Sequence, residues 1–360
     1  MRWLALERKY YIDNIRWICT LLLFPFHTLR VFDPFGELFY VSGTGIPAAQ
    51  LFFIILHTWF MPLLFLLAGV GSAYALNKRT AKEYIKERVF KLLIPVVIGI
   101  LLLVPIQTYI AEISNNGYTG SYLGQYILFF TKPTDLSGYT GGFTPAHLWF
   151  IIFLFGISVI SLPAMYFYQK SSKRIPAHKI PLPVLLTFCI IPIFTQMILN
   201  IGGKSVGEYL TWFLFGYFFI SSDTIQDKLK KYRLLLLGLA VASVLLLEFA
   251  AFQIGEISEI LIMLLYYLYA WTFILAVIGF GKRYLNFSNK ATAYLSQSSF
   301  AVYVFHQQWI VVAGYFILKW IGNVPLQVLS VLCAGVILTF LSYAAARRFK
   351  VTRFMFGIKT

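Results

Sequence analysis

The stretch Lys228-Leu229-Lys230-Lys231-Tyr232-Arg233 runs straight into LLLLGLAVASVLLL, residues 234–247. The apolar run covers most of a membrane crossing. The hydrocarbon core of a bilayer is about 30 Å thick and an α-helix rises about 1.5 Å per residue, so about 20 residues span it. The cations crowd against one end of the run, which marks that end as cytoplasmic. Residues 85–103, with charges at one end, and residues 327–341 read in the same way. Across all 360 residues, 59% are hydrophobic and 12% are charged, with a mean hydropathy of +0.75. Soluble domains are about 45–50% apolar and about 25% charged, so lipid is the solvent this chain is written for.

The pattern predicts an all-α, polytopic membrane protein of about ten transmembrane helices, forming a single integral membrane domain over residues 1–360. The predicted spans are about 14–33, 51–76, 91–111, 147–168, 183–201, 207–221, 234–253, 258–281, 294–318 and 325–346. Cations fall in alternate connections. Arg2, Arg8 and Lys9 precede the first span; Lys78, Arg79, Lys82, Lys86 and Arg88 separate the second from the third. Lys170, Lys173, Arg174 and Lys179 follow the fourth, and Lys282, Arg283 and Lys290 precede the ninth. Arg347, Arg348, Lys350, Arg353 and Lys359 close the chain. The opposite connections hold only Arg30, Lys132, Lys204 and Lys319. This alternation predicts cytoplasmic N- and C-termini and accounts for the net charge of +16 without nucleic acid. The first apolar run lacks a small-residue cleavage pattern and reads as a retained helix. Cys19, Cys189 and Cys333 stand apart in apolar runs, with neither disulfide nor metal-ligand spacing. The long outer connection, residues 112–146, is rich in Gly, Ser, Thr and Tyr; it reads equally as a lid and as a plain loop.

Ionisable groups inside lipid cost about 2.5–3.5 kcal/mol each on insertion scales, so they mark functional positions. The first span carries a set of them. Arg16 and His27 are eleven residues apart; at about 100° per residue they project from one face, about 16 Å apart along the axis. Asp13, Thr20 and Arg30 fall on the same third of the helix, and Pro25 introduces a possible kink. Lipid cannot solvate this stripe, so it faces the bundle interior. Further candidates for the same interior are His57 on span two, His147 and Trp149 at the start of span four, Glu248 in span seven, and Tyr303 with His306 in span nine. Each also has a plainer role: His306 as an interhelical hydrogen bonder, His57 and His147 as interfacial residues, Arg16 as a side chain reaching the inner headgroups. Nucleotide-binding glycine loops, the metalloprotease helix motif and the Gly-x-Ser-x-Gly elbow are missing from the sequence, and no metal is expected.

Tyr11-Ile12-Asp13-Asn14-Ile15-Arg16 followed by His27 resembles the opening of the membrane acyltransferase-3 family, with its arginine, ten residues, then histidine. The likeness continues through Met61-Pro62-Leu63-Leu64-Phe65-Leu66-Leu67-Ala68-Gly69 and Arg88-Val89-Phe90-Lys91-Leu92-Leu93-Ile94-Pro95. It ends with His147-Leu148-Trp149-Phe150 and the late Tyr303-Val304-Phe305-His306. The wording of the first two motifs is nearest to the branch that succinylates periplasmic glucans. One departure stands out: the basic element usually holds two arginines, and here the second is Lys91, which cannot make a bidentate phosphate contact.

The resemblance implies O-acyl transfer in the cell membrane, from a cytoplasmic acyl-CoA (acetyl-CoA or succinyl-CoA) to a hydroxyl of a carbohydrate or glycan acceptor at the outer face. Arg88 and Lys91 would then meet the donor phosphates, and the donor's arm would follow the stripe toward His27. His27 would act as general base or as an acyl-carrying nucleophile, Arg16 would fix the donor or the ring's surroundings, and Asp13 would hold Arg16. A secondary transporter or glycan exporter relaying protons through His27, Glu248 and His306 is the alternative from another class. It predicts that span six echoes the stripe of span one, and Gly207-Glu208-Tyr209-Leu210-Thr211-Trp212-Phe213 does not.

Overall fold

The computed structural model describes residues 8–172, 175–252 and 258–358. Arg2, Lys173, Arg174 and Lys359 of the cation pattern lie outside these residues. The described chain is mostly helical: α1 Tyr10–Val31, α2 Ala48–Leu76, α3 Ala81–Asn116, α4 Tyr122–Thr131, α5 Ala146–Ile160, α6 Leu162–Lys170 and α7 Leu182–Thr195. There follow α8 Val206–Ile220, α9 Asp223–Phe252, α10 Glu259–Tyr284, α11 Lys290–Trp320, α12 Val324–Ala346 and α13 Lys350–Met355. Among the described residues six helices, α2, α3 and α9 to α12, are long and apolar enough to cross a membrane; α5 and α6 add a seventh if the pair, bent by 44°, is one span. The protein is a multi-pass membrane protein.

Helix α9 shows how the opening stretch folds. It begins eleven residues before the predicted span, with Asp223 in its first turn, where a carboxylate meets the positive end of the helix dipole. The cationic segment is therefore the first part of the same helix, since Lys and Arg are good helix formers. Span five is shorter than predicted. Helix α7 stops at Thr195, and Asn200–Ile201 pairs antiparallel with Lys204–Ser205. Gly202 and Gly203 turn the hairpin with φ of 56° and 74°, the left-handed pair a two-residue hairpin requires.

The chain divides into two compact units, with α1, α2, α3, α5 and α11 each contributing to both. The first comprises Met1–Cys19, Leu56–Tyr84 and Ile157–Ser296. Its core sets Trp212 5.7 Å from Trp271, whose indole N–H donates to the Leu185 carbonyl at 2.7 Å. Helices α2 and α8 meet backbone to backbone. A Cβ on Gly69 would lie 1.9 Å from the Phe213 carbonyl oxygen, and one on Gly216 would lie 2.0 Å from that of Leu66. Small residues serve this purpose in lipid, where helices associate by packing and not by expelling water.

The second unit comprises Thr20–Ile55, Ile85–Gly156 and Gln297–Thr360. Phe24, Phe32, Tyr40, Ile110, Val302 and Ile310 belong to its core. The outer connection is built, not loose: Ser121 caps α4, Gln125 donates to Thr108 and to the Gly141 carbonyl, and Lys132 pairs with Glu112. Asn115 donates to the carbonyls of Phe39 and Tyr139 at 2.9 and 2.8 Å.

Candidate active site

Three imidazoles meet in the second unit. His27 comes from α1, His147 from the first turn of α5 and His306 from the middle of α11. The ring centroids of His27 and His306 are 5.1 Å apart, and those of His147 and His306 are 5.0 Å apart. Position sets this up in α1: Phe24, one turn before His27, lies edge-on to His306 at 5.9 Å. Phe39 stacks nearly parallel to His27, with centroids 6.4 Å apart and planes at 15°.

Backbone carbonyls set two of the tautomers. His147 Nε2 lies 3.0 Å from the Val304 carbonyl oxygen, so Nε2 carries the hydrogen. His306 Nδ1 lies 2.6 Å from the Tyr303 carbonyl oxygen, so there the hydrogen is on Nδ1. Tyr303 closes the arrangement by donating its hydroxyl to the His147 carbonyl. The other nitrogens, His147 Nδ1 and His306 Nε2, are buried without a hydrogen-bond partner, and so is His27 Nδ1. His306 and His147 are 0% and 5% exposed, whereas His27 is only partly buried. Of the three residues, His27 is the least buried.

At the end of α1, Arg30 holds Asp33 at 2.5 Å and Glu37 at 2.8 Å, and its guanidinium sits 5.9 Å from the centre of the Phe39 ring. Below the imidazoles, Gln307 donates to Gln107 at 2.9 Å, both amides being buried.

Of the other stripe residues of α1, Thr20 belongs to the second unit, and Asp13 and Arg16 belong to the first. Arg16 Nη2 donates to the Leu67 carbonyl at 2.5 Å, and Nη1 lies 3.6 Å from Asp13. Asp13 also receives Arg8 at 2.8 Å. Asp13 thus lies between Arg8 and Arg16 in a three-membered ion chain.

The acyltransferase-3 family model, described as an acyltransferase domain, matches residues 9–344, which includes every residue placed above except Arg8. This chain belongs to the acyltransferase-3 family. It is an O-acyltransferase. Among curated proteins it is similar to glucans biosynthesis protein C of Salmonella heidelberg (strain SL476), 25% identical over 381 residues, covering 98% of this chain and 95% of the relative. The same protein from Salmonella typhimurium (strain LT2) is 24% identical over 382 residues, with the same coverage. No solved structure matches the chain.

The acyltransferase thus carries, on the one helix α1, a carboxylate-held guanidinium and a partly buried imidazole. Arg88 and Lys91 lie in the second unit, where α3 widens into a π-helical turn, Val89–Leu93. Irregular turns of this kind often sit at functional positions. Lys91 is paired with Glu87 one turn earlier. Trp149 packs edge-on against Phe153 at 5.3 Å, one turn away on its own helix. His57 is exposed on α2 and Glu248 is half-buried on α9; both belong to the first unit, apart from the unit that holds the three imidazoles. Among the described residues no group of three or more His, Cys, Asp or Glu side chains could hold a metal ion. Sequence reasoning passed over Gln107, because an amide in an apolar run announces itself only once its partner is known.

Proposed function

We propose that this acyltransferase moves an acetyl or succinyl group from a cytoplasmic acyl-CoA to a hydroxyl of a glycan at the outer face of the cell membrane, with His27 as general base. A glucan is the first acceptor to try, given the printed name of the relatives. The observation that carries the reading is the meeting of three imidazoles, in which the partly buried His27 stands beside two buried rings whose bare nitrogens have no hydrogen-bond partner.

In this mechanism the His27 imidazole takes the proton of the acceptor hydroxyl as its oxygen attacks the thioester carbonyl. The tetrahedral intermediate collapses, the C–S bond breaks, and the proton passes from the imidazolium to the departing thiolate. The products are the O-acyl ester and free coenzyme A. General acid–base catalysis of this kind contributes about 10²–10⁴-fold to rate. His306, His147 and Tyr303 orient the base. Asp13 and Arg16 steady the donor along α1, and Arg88 with Lys91 meets donor phosphates at the inner surface. Trp149, His57 and Glu248 are left to packing and solvation.

Ten crossings are part of the same reading. The polar helix α1 and the shorter α7 and α8 join the six long helices and the α5–α6 pair. With ten crossings the cation-rich connections all fall on one side, which puts both termini in the cytoplasm.

The test is acyl transfer by purified protein in nanodiscs, supplied with acetyl-CoA or succinyl-CoA and a glucan. Donor-dependent ester formation that vanishes in His27→Ala supports the proposal. Transfer that persists in that variant removes the base, and acyl label retained on His27 after acid quench replaces direct transfer with an acyl-histidine relay.

A further inference from the structure

Helix α12 ends at Ala346, and the chain goes on through Arg347-Arg348-Phe349-Lys350-Val351-Thr352-Arg353-Phe354. Basic and bulky apolar side chains are interleaved along this run. After Glu259 the sequence contains no Asp or Glu through Thr360, so the run has no acidic neighbour along the chain. Phe349 leaves the helical path with φ of −108° and ψ of 142°, and the short helix α13 begins after it. The segment therefore turns aside where the crossing helix stops.

One side of the segment is fixed within the second unit. Phe356 is buried, with its ring centroid 4.7 Å from that of Phe305, and Phe354 lies 5.8 Å from Phe90. The turn after α13 is a Schellman motif: the Ile358 N–H donates to the Arg353 carbonyl at 2.8 Å and the Gly357 N–H to the Phe354 carbonyl at 3.4 Å. Gly357 takes a φ of 62° there. A Cβ on it would lie 3.0 Å from the Phe300 ring, 3.2 Å from Pro95 and 3.4 Å from the Lys91 carbonyl oxygen. The segment is thus held against α3 and α11. Its other side is uncovered: Phe349, Val351 and Phe354 are each more than half exposed, and Arg347, Arg348 and Lys350 stand exposed among them.

We infer that residues 347–354 form an interfacial anchor that docks on anionic phospholipid headgroups. Retention of cations on one side of the membrane explains the bases alone. It does not explain why large apolar side chains stand out beside them on a segment the fold holds in place. At the boundary between headgroups and acyl chains both kinds of side chain have a partner, and stable attachment to a surface takes two such signals together. The arginines and the lysine meet the lipid phosphates, while Phe349, Val351 and Phe354 enter the boundary. Because Phe354 rests on Phe90, the grip on the headgroups bears on the π-helical turn Val89–Leu93. Only the choice of the inner leaflet rests on the orientation proposed above; the docking itself does not.

The test places a polarity-sensitive dye on the segment of the full-length protein, through Val351→Cys with Cys333→Ala; Cys19 and Cys189 are buried. The labelled protein is reconstituted in nanodiscs of phosphatidylcholine, and in nanodiscs of equal parts phosphatidylcholine and phosphatidylglycerol. Acrylamide, which is neutral, quenches the dye from the water side. Quenching is expected to be about threefold weaker in the anionic discs, with emission shifted to the blue. Each base near an anionic surface contributes about fivefold, so Arg347→Gln/Arg348→Gln/Lys350→Gln should weaken docking about a hundredfold and remove the difference between the lipids. All three positions are exposed, so the fold is kept. Equal quenching in the two lipids overturns the proposal, whether the dye is open to water in both or shielded in both. A difference that survives the triple variant overturns it too. The readout needs no acyl transfer: docking without transfer sinks the reaction alone, and transfer with an undocked segment sinks the anchor alone.

Discussion

The imidazoles of His27 and His306 lie with centroids 5.1 Å apart and planes tilted by 46°. His147 flanks His306 on another side at 5.0 Å, nearly perpendicular to it. Carbonyls on α11 set the hydrogen of both supporting rings, Tyr303 for His306 and Val304 for His147. One helix therefore dictates which nitrogens of the cluster are left bare. In the proposed reaction the three rings together offer a place for one proton when an acceptor hydroxyl gives it up.

His27→Ala should lower kcat by about 10²–10⁴-fold, the usual contribution of a general base. Its thermal unfolding should stay near that of the wild type, because His27 is partly exposed and its Nδ1 has no partner to lose. Paired measurements of turnover and unfolding midpoint check this. Loss of activity with loss of fold would make His27 a packing residue.

His306 acts through His27 in this account, so it is a positioning residue. His306→Phe removes the hydrogen bond to the Tyr303 carbonyl and the bare nitrogen; transfer should fall about tenfold or more. His306→Asn keeps an amide donor one turn from that carbonyl and should recover part of the loss. The pH dependence of kcat/KM should shift in both variants, since both remove an imidazole 5.1 Å from the base. A purely structural role would lower activity without moving the profile.

How much of this was legible in the sequence depends on the range of the interaction involved. Arg16 and His27 share one helix, and a helix has a fixed period, so their common face could be read directly. The helical character of the apolar runs was equally plain, and α9 extends beyond its apolar run through a charged first part that is as good a helix as an apolar one. The end of span five was missed: residues 196–201 are apolar enough for lipid, and only the pairing of Ile201 with Lys204 reveals the hairpin. His147 and His306 were each visible as candidates. Their meeting was not, because it depends on how α5 and α11 pack, 159 positions apart in sequence.

Arg88 and Lys91 should differ as donor contacts. Lys91 already faces Glu87 one turn away, so its charge is partly matched within the helix. Arg88→Glu should raise the donor KM about tenfold, and Lys91→Gln should raise it by about threefold or less. Donor titrations at saturating acceptor measure both. Equal effects would indicate that Glu87 does not screen Lys91 when the donor arrives.

The Glu112 side chain is 4% exposed and is paired with Lys132, which is 34% exposed. Removing one member of a buried pair leaves an uncompensated charge, a loss of about 3–5 kcal/mol when both are buried; access of water to Lys132 reduces it here. Lys132→Met should therefore destabilise the second unit by about 2 kcal/mol. Protease cleavage within residues 133–145 should quicken with it. Adding Glu112→Gln to Lys132→Met should restore much of the stability, because a neutral amide can stay where the carboxylate cannot. Failure of the second change to rescue the first would show that Lys132 acts through its bond to the Thr140 carbonyl at 2.6 Å.

Gly216 and Gly69 let α8 and α2 touch backbone to backbone, and the two contacts are not equally easy to relieve. A methyl on Gly216 would meet the Leu66 carbonyl oxygen at 2.0 Å and the Leu66 carbonyl carbon at 2.8 Å, so no rotamer change can make room. The helices must part. Gly216 also opens the π-helical turn Gly216–Ile220, where the ladder is already irregular, so some of the displacement can be taken up along α8. Gly69 lies inside regular helix and has no such outlet. Gly69→Ala should thus cost more than Gly216→Ala, with both in the range of about 1–3 kcal/mol for overpacking. Denaturation of the two variants in the same lipid orders them. The reverse order would mean that the π-helical turn is the rigid partner and that α2 yields.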